Sequence, residues 1–268
     1  MKKNIIILGT VLITLGLTAF GVRNWNDSTQ DQVQTLVSDD VAINTQVIGP
    51  INKRIFSDFI YDVGPRFGPI KKGDLDKART FDDFISDEHA KQIVSYKSLS
   101  VIYIINDKQS DIRETGYSDA LTAAQLELLQ SADYSTNFLI RAEYQQKNKE
   151  TGVLEDSYST PHLTIVPEKQ AAYVYGKDAL IEYLKENSQR VRTNVIADKL
   201  QPAKLFFTVT KIGTIENVKL DRSSNFPAVD KKMIELISKT TGTWEPAKSL
   251  KGEKVDQELV VSFGLMGC

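Results

Sequence analysis

Residues Ala203 to Gly264 read AKLFFTVTKIGTIENVKLDRSSNFPAVDKKMIELISKTTGTWEPAKSLKGEKVDQELVVSFG. Leu205, Phe207 and Val209 alternate with residues of the opposite face, the period of a half-buried strand. Gly213 then offers a turn position that can take a positive φ. Thr214 to Asp221 follow as a second strand, with Val218 and Leu220 on one face. Pro227 suits the first turn of a helix, where its missing N–H is not needed. Val229, Met233, Leu236 and Ile237 recur at helical spacing. Asp230 and Glu235 precede Lys239, the charge order that a helix dipole favours. A loop holding Gly242, Trp244 and Pro246 leads to a last strand, with Val255, Gln257, Leu259, Val261 and Phe263 expected on one face. The order strand, strand, helix, strand predicts a sheet with one helix laid across it.

Thr208-Val209-Thr210 before Gly213, then Ile215, Val218, Leu220 and Asp230, the Trp244-x-Pro246-Ala247 motif and Gly252 before the final strand form an ordered set. In order and spacing this set resembles the TonB C-terminal domain family, over roughly the last hundred residues. Upstream, Gly176-Lys177-Asp178-Ala179-Leu180 with Tyr183, Leu184 and Asn187 resembles the helix that often precedes this domain. The turn before the upstream helix reads Val174-Tyr175-Gly176-Lys177, where that family usually has Phe-Pro-Gly-Gly. The resemblance implies an envelope protein whose last strand grips a short segment of an outer-membrane receptor. The expected partner-binding residues are therefore Val255, Gln257, Leu259, Val261 and Phe263, and the expected partner is such a receptor peptide or another envelope protein.

The N-terminus agrees with export. Met1-Lys2-Lys3 precedes an uncharged stretch from Asn4 to Val22, and Arg23 follows. Positive charge before an apolar run marks an export signal. Ala19-Phe20-Gly21 fits cleavage after Gly21, and the run is also about long enough to remain as an inner-membrane anchor. Lys2 and Lys3 would stay on the cytoplasmic side, which places the rest of the chain in the periplasm. Residues 1–22 are thus expected as signal peptide or anchor and 23–50 as a polar linker. Residues 51–168 are expected as an α+β domain of unassigned role, and 169–268 as the TonB-like domain. The linker is not Pro-rich, and no His lies between Asn4 and Val22. A full TonB energy transducer carries both features, so the alternative, coupling of proton-motive force to receptors, ranks second.

The middle of the chain predicts a second sheet-plus-helix layer. Ile51 to Val63 is compatible with a short helix or a buried strand. Gly64-Pro65-Arg66-Phe67-Gly68-Pro69 reads as a break in regular structure, a connector or a ligand-binding turn. Phe81 to Ile93 reads as a helix, and Leu99 to Asn106 as a strand apolar on both faces. Asp107 to Asp119 reads as a loop. Thr122 with Gln125 is a capping box opening a helix to Ala132. Thr136 to Gln146 reads as a strand, with Phe138, Ile140, Ala142 and Tyr144 on one face, and Ser159 to Val166 as another.

Composition narrows function further. Hydrophobic residues make up 41% of the chain and its formal charge is −2, so it has neither a membrane-protein composition nor a basic field for nucleic acid. Its one Cys, Cys268, allows no internal disulfide framework and no Cys-based zinc cluster. Asp87-Glu88-His89 lacks a second His four residues away, so the H-E-x-x-H metal signature is missing. Asp82-Asp83 are neighbours and do not face each other on a helix. With no nucleophile–base motif and no phosphate-cradling glycines, the expectation is a non-enzymatic interaction module without cofactor or metal. The overall expectation is an α+β chain of two small sheet-plus-helix domains.

Overall fold

The computed structural model describes residues 59–148 and 150–266. The expected signal or anchor segment, the linker and Cys268 lie outside the described residues. In chain order the elements begin with β1 (Ile60–Gly64), β2 (Gly68–Lys71), α1 (Lys72–Leu75), a 3-10 turn (Phe81–Phe84), α2 (Asp87–Ala90), β3 (Ile93–Ile105) and β4 (Lys108–Gly116). There follow α3 (Ala123–Ser131), β5 (Asn137–Lys147), β6 (Leu154–Ser159), β7 (His162–Val166), β8 (Ala172–Tyr173) and α4 (Lys177–Arg192). The chain continues with β9 (Pro202–Val209), β10 (Ile215–Arg222), α5 (Pro227–Ser238), β11 (Trp244–Glu245), β12 (Ala247–Lys248), β13 (Lys254–Val255) and β14 (Gln257–Gly264). The fold class is α+β.

The C-terminal stretch forms as its pattern dictates. Gly213 turns β9 into β10 at φ 83°, and its N–H donates to the Thr210 carbonyl. A Cβ at Gly213 would meet the Trp244 carbonyl oxygen at 2.6 Å, so the position needs glycine for space as well as for φ. Pro227 starts α5, as expected. Asp230 in the first turn is buried, and it accepts from Ser224 N at 2.9 Å, Ser224 Oγ at 2.6 Å and Ser223 Oγ at 2.5 Å. That network fixes the entry of α5 in place of a side-chain N-cap.

The sheet built from these strands has the order β1-β14-β9-β10, all antiparallel. One face carries Tyr61, Val63, Leu205, Phe207, Leu259, Val261 and Phe263. This face packs on Leu180 and Leu184 of α4 and on Val229, Met233, Leu236 and Ile237 of α5. Burying each large apolar side chain there contributes roughly 1.5–3 kcal/mol. Two helices, rather than one, therefore cover this sheet.

The presence of β1 corrects the expected domain division. Residues 60–64 do not belong with the middle layer; they pair with β14, about 200 positions away in sequence. The middle layer proper is a sheet of order β2-β7-β5-β3-β4, with β6 on the same edge of β5 as β7. Its core holds Leu75, Phe81, Leu99, Val101, Phe138, Ile140, Ala142, Tyr144 and Ile165, together with Leu129 of α3. The capping box at Thr122 and Gln125 forms as expected. In addition, the Gln125 amide donates to the Leu99 and Glu114 carbonyls, which ties α3 to β3 and β4.

Three expectations for this layer change. The helix expected over 81–93 is two separate turns, because Thr80 with Asp83 and then Ser86 each begin a new one and β3 takes over at Ile93. The loop expected over 107–119 is mostly β4. Asn106 and Asp107 both have positive φ, 50° and 62°, and form a two-residue hairpin between β3 and β4. The strand expected over 159–166 begins only at His162, as β7, and Thr160-Pro161 separates it from β6, a further strand over Leu154–Ser159.

Candidate functional site

The expected binding strand does not present the side chains assigned to it. Gln257, Leu259, Val261 and Phe263 do share a face, but it is the core face under α4 and α5, and all four are buried. Val255 is not on that strand. It lies in β13, opposite Ala247 of β12.

Nor is β14 an open edge. β9 pairs along its whole length on one side. On the other, β1 pairs from Ile60 opposite Gly264 to Gly64 opposite Val260. Beyond the end of β1, the Glu258 N–H donates to Ser135 Oγ at 3.0 Å. The chain thus covers this edge of β14 with its own residues.

The outer edge on this side of the sheet is therefore β1. Alternation in the ladder turns the backbone groups of Ile60, Asp62 and Gly64 toward β14 and those of Tyr61 and Val63 outward. Side-chain contacts fix β1 in place. Tyr61 Oη and Ser188 Oγ of α4 are 2.6 Å apart, and burial raises the Tyr61 pKa. Asp62 forms an ion pair with Lys177 of α4 at 2.6 Å. Arg192 of α4 lies over the rings of Phe59 and Tyr61.

Beside the C-terminal end of β1 is a cleft of about 470 Å³. Leu180, Tyr173, Trp244 and Leu259 give it apolar walls, Pro65 and Phe67 close one side, and Asp62 and Lys177 stand at its rim. Trp244 is held as a packing residue. Its Nε1 donates to Thr240 Oγ1 at 3.0 Å, and its ring lies 5.3 Å from Phe207 and 5.6 Å from Tyr173. The Gly64–Pro69 stretch is shorter as a loop than expected. Gly68 and Pro69 already belong to β2, so only Pro65-Arg66-Phe67 bridges the two sheets. Ile51 to Val63 is compatible in sequence with a helix or a strand; in the structure, buried Tyr61 and Val63 alternate with exposed Asp62 along β1.

The acid–base candidates do not converge. His89 Nε2 is 2.7 Å from Tyr144 Oη and its ring stacks edge-on against that tyrosine. Asp83 accepts from the Arg79 and Thr80 backbone N–H groups, which lower its pKa, and Asp82 accepts from Tyr96 Oη. Among the described residues no group of three or more His, Cys, Asp and Glu side chains is placed to hold a metal, and no helix is long and apolar enough to cross a membrane. The chain matches no family model, no curated protein and no solved structure.

Proposed function

We propose that this protein is an exported interaction module of the cell envelope, with a TonB-like C-terminal region, that takes an extended segment of a partner as an added strand along β1. A receptor peptide of the outer membrane is the partner the sequence resemblance favours, and the role is linked to outer-membrane transport. One observation carries the reading. The outer edge of β1 has no strand partner among the described residues, and it runs beside a cleft with apolar walls, large enough to take side chains of an added strand. Strand addition needs this combination: backbone groups for affinity and a neighbouring pocket for specificity. The element order β9, β10, α5, β14 and the upstream helix α4 are consistent with the family resemblance. In this reading the binding edge moves from β14 to β1, because β1 already fills the place beside β14.

Affinity capture from envelope extracts with the full chain tests the proposal. Val63 turns its N–H outward, so Val63→Pro removes a donor to the incoming strand without removing one to β14. Recovery of outer-membrane receptors by the parent chain, lost with Val63→Pro while circular dichroism and the melting temperature hold, is the expected result. Recovery of no receptor by the folded parent chain contradicts the transport link. Recovery that the proline leaves unchanged contradicts the β1 edge.

A further inference from the structure

On the sheet face opposite α4 and α5 there is a second cavity, of about 630 Å³. Lys204 of β9, Arg222 of β10 and Arg66 of the connecting loop line it, with the Ser262 hydroxyl among them. Ile60, Phe67 and Leu265 make other parts of its wall apolar. We infer that this cavity binds a medium-chain aliphatic carboxylate, with the carboxylate at Lys204 and the chain against the apolar wall.

The cavity sets positive charge beside an apolar wall, which suits an anion with an aliphatic tail. Arg66 is ion-paired with Asp107 and lies 3.6 Å from Asp221, and Arg222 lies 3.9 Å from Asp107. Neither Asp107 nor Asp221 lines the cavity, so these carboxylates offset the arginines without filling the space before them. Asp62 does line it, but its carboxylate is held by Lys177. Among the described residues no carboxylate lies within salt-bridge distance of Lys204; Asp221 attracts it from farther off, and Glu258 on the same sheet face is attracted to Arg66. Burial, and then the repulsion of Arg66 and Arg222, lowers the Lys204 pKa against the attraction of Asp221. A bound carboxylate would relieve that repulsion. Arg66 adds a buried Nε that has no acceptor among the described residues, although its guanidinium also stacks over Phe67 and Phe206. Phosphate, polar on every side, would leave the apolar wall in contact with water. The inference is independent of the β1 edge as a partner site.

Isothermal titration of the full chain with octanoate, acetate and inorganic phosphate at neutral pH decides it. Octanoate is expected to bind with 1:1 stoichiometry and acetate at least about 10-fold more weakly, since each buried methylene adds about 0.8 kcal/mol. Phosphate is expected to bind no better than acetate. Lys204→Met, which keeps the side chain's length and removes a repelled charge, is expected to melt no lower than the parent and to lose octanoate affinity by about 10-fold or more. Arg222→Gln, at a half-exposed site, is a second variant expected to weaken octanoate in the same direction. Absence of saturable octanoate binding overturns the inference. So does equal affinity in both variants, or phosphate binding tighter than octanoate.

Discussion

Glu258 shows how a single residue records the closed edge. Its backbone N–H is taken by Ser135, and its carboxyl sits on the same sheet face as the Arg66 and Lys204 cluster. Burial raises its pKa, Arg66 and Lys219 oppose the rise, and Asp221 adds to it. A carboxyl whose pKa is raised on folding binds its proton more tightly in the native state, so its contribution to stability is lost as pH rises from the unfolded value through the folded one. Glu258→Gln is therefore expected to raise the melting temperature at about pH 7 and to change it little at about pH 4, where the parent side chain is already largely protonated. A variant that melts lower than the parent at neutral pH would show that the arginine outweighs burial. At the same scale, the turn at Gly213 was legible because glycine is the default residue for positive φ. The pairing of Asp230 with two serines was not, since nothing in the spacing of Ser223, Ser224 and Asp230 separates a buried network from an ordinary charged first turn.

Among the elements, those with a full amphipathic period and a clear start were legible, β9, β10, α3 and α5, while α4 was expected only from the family resemblance. The failures were short or ambiguous elements decided by local competition. The run Phe81 to Ile93 has helical spacing, but the side chains of Thr80 and Ser86 stop and restart it within seven residues. β4 is polar on both faces, so it carries no hydrophobic period, and only the Asn106-Asp107 pair signalled its hairpin. β1 is the decisive case. Five residues are too few for a period to stand out, and its partner strand lies at the far end of the chain. Its attachment to α4 can be probed directly. Tyr61→Phe removes the hydrogen bond to buried Ser188 and keeps the ring, so a loss of about 1–2 kcal/mol in urea unfolding is expected. An unchanged midpoint would mean that the hydroxyl pair adds nothing to holding β1.

For the molecule as a whole, the α+β class followed from the order of elements, but the division into two consecutive domains did not hold. β1 enters the C-terminal sheet before the chain has formed the middle layer, and Arg66 then links Asp107 of the β3–β4 turn with Asp221 of β10. Ser135 of the middle layer completes the edge of β14 at Glu258. Sequence order therefore misplaced both the boundary and the candidate edge, since each depends on a contact between distant residues. β1 covers β14 and leaves its own outer side as the sheet's edge. Residue-resolved amide hydrogen exchange on the intact chain tests this most directly. The Val260 and Ser262 amides, which face β1, are predicted to be strongly protected, and those of Tyr61 and Val63 to exchange far faster. Fast exchange at Val260 and Ser262, or equal protection of all four, would contradict the account.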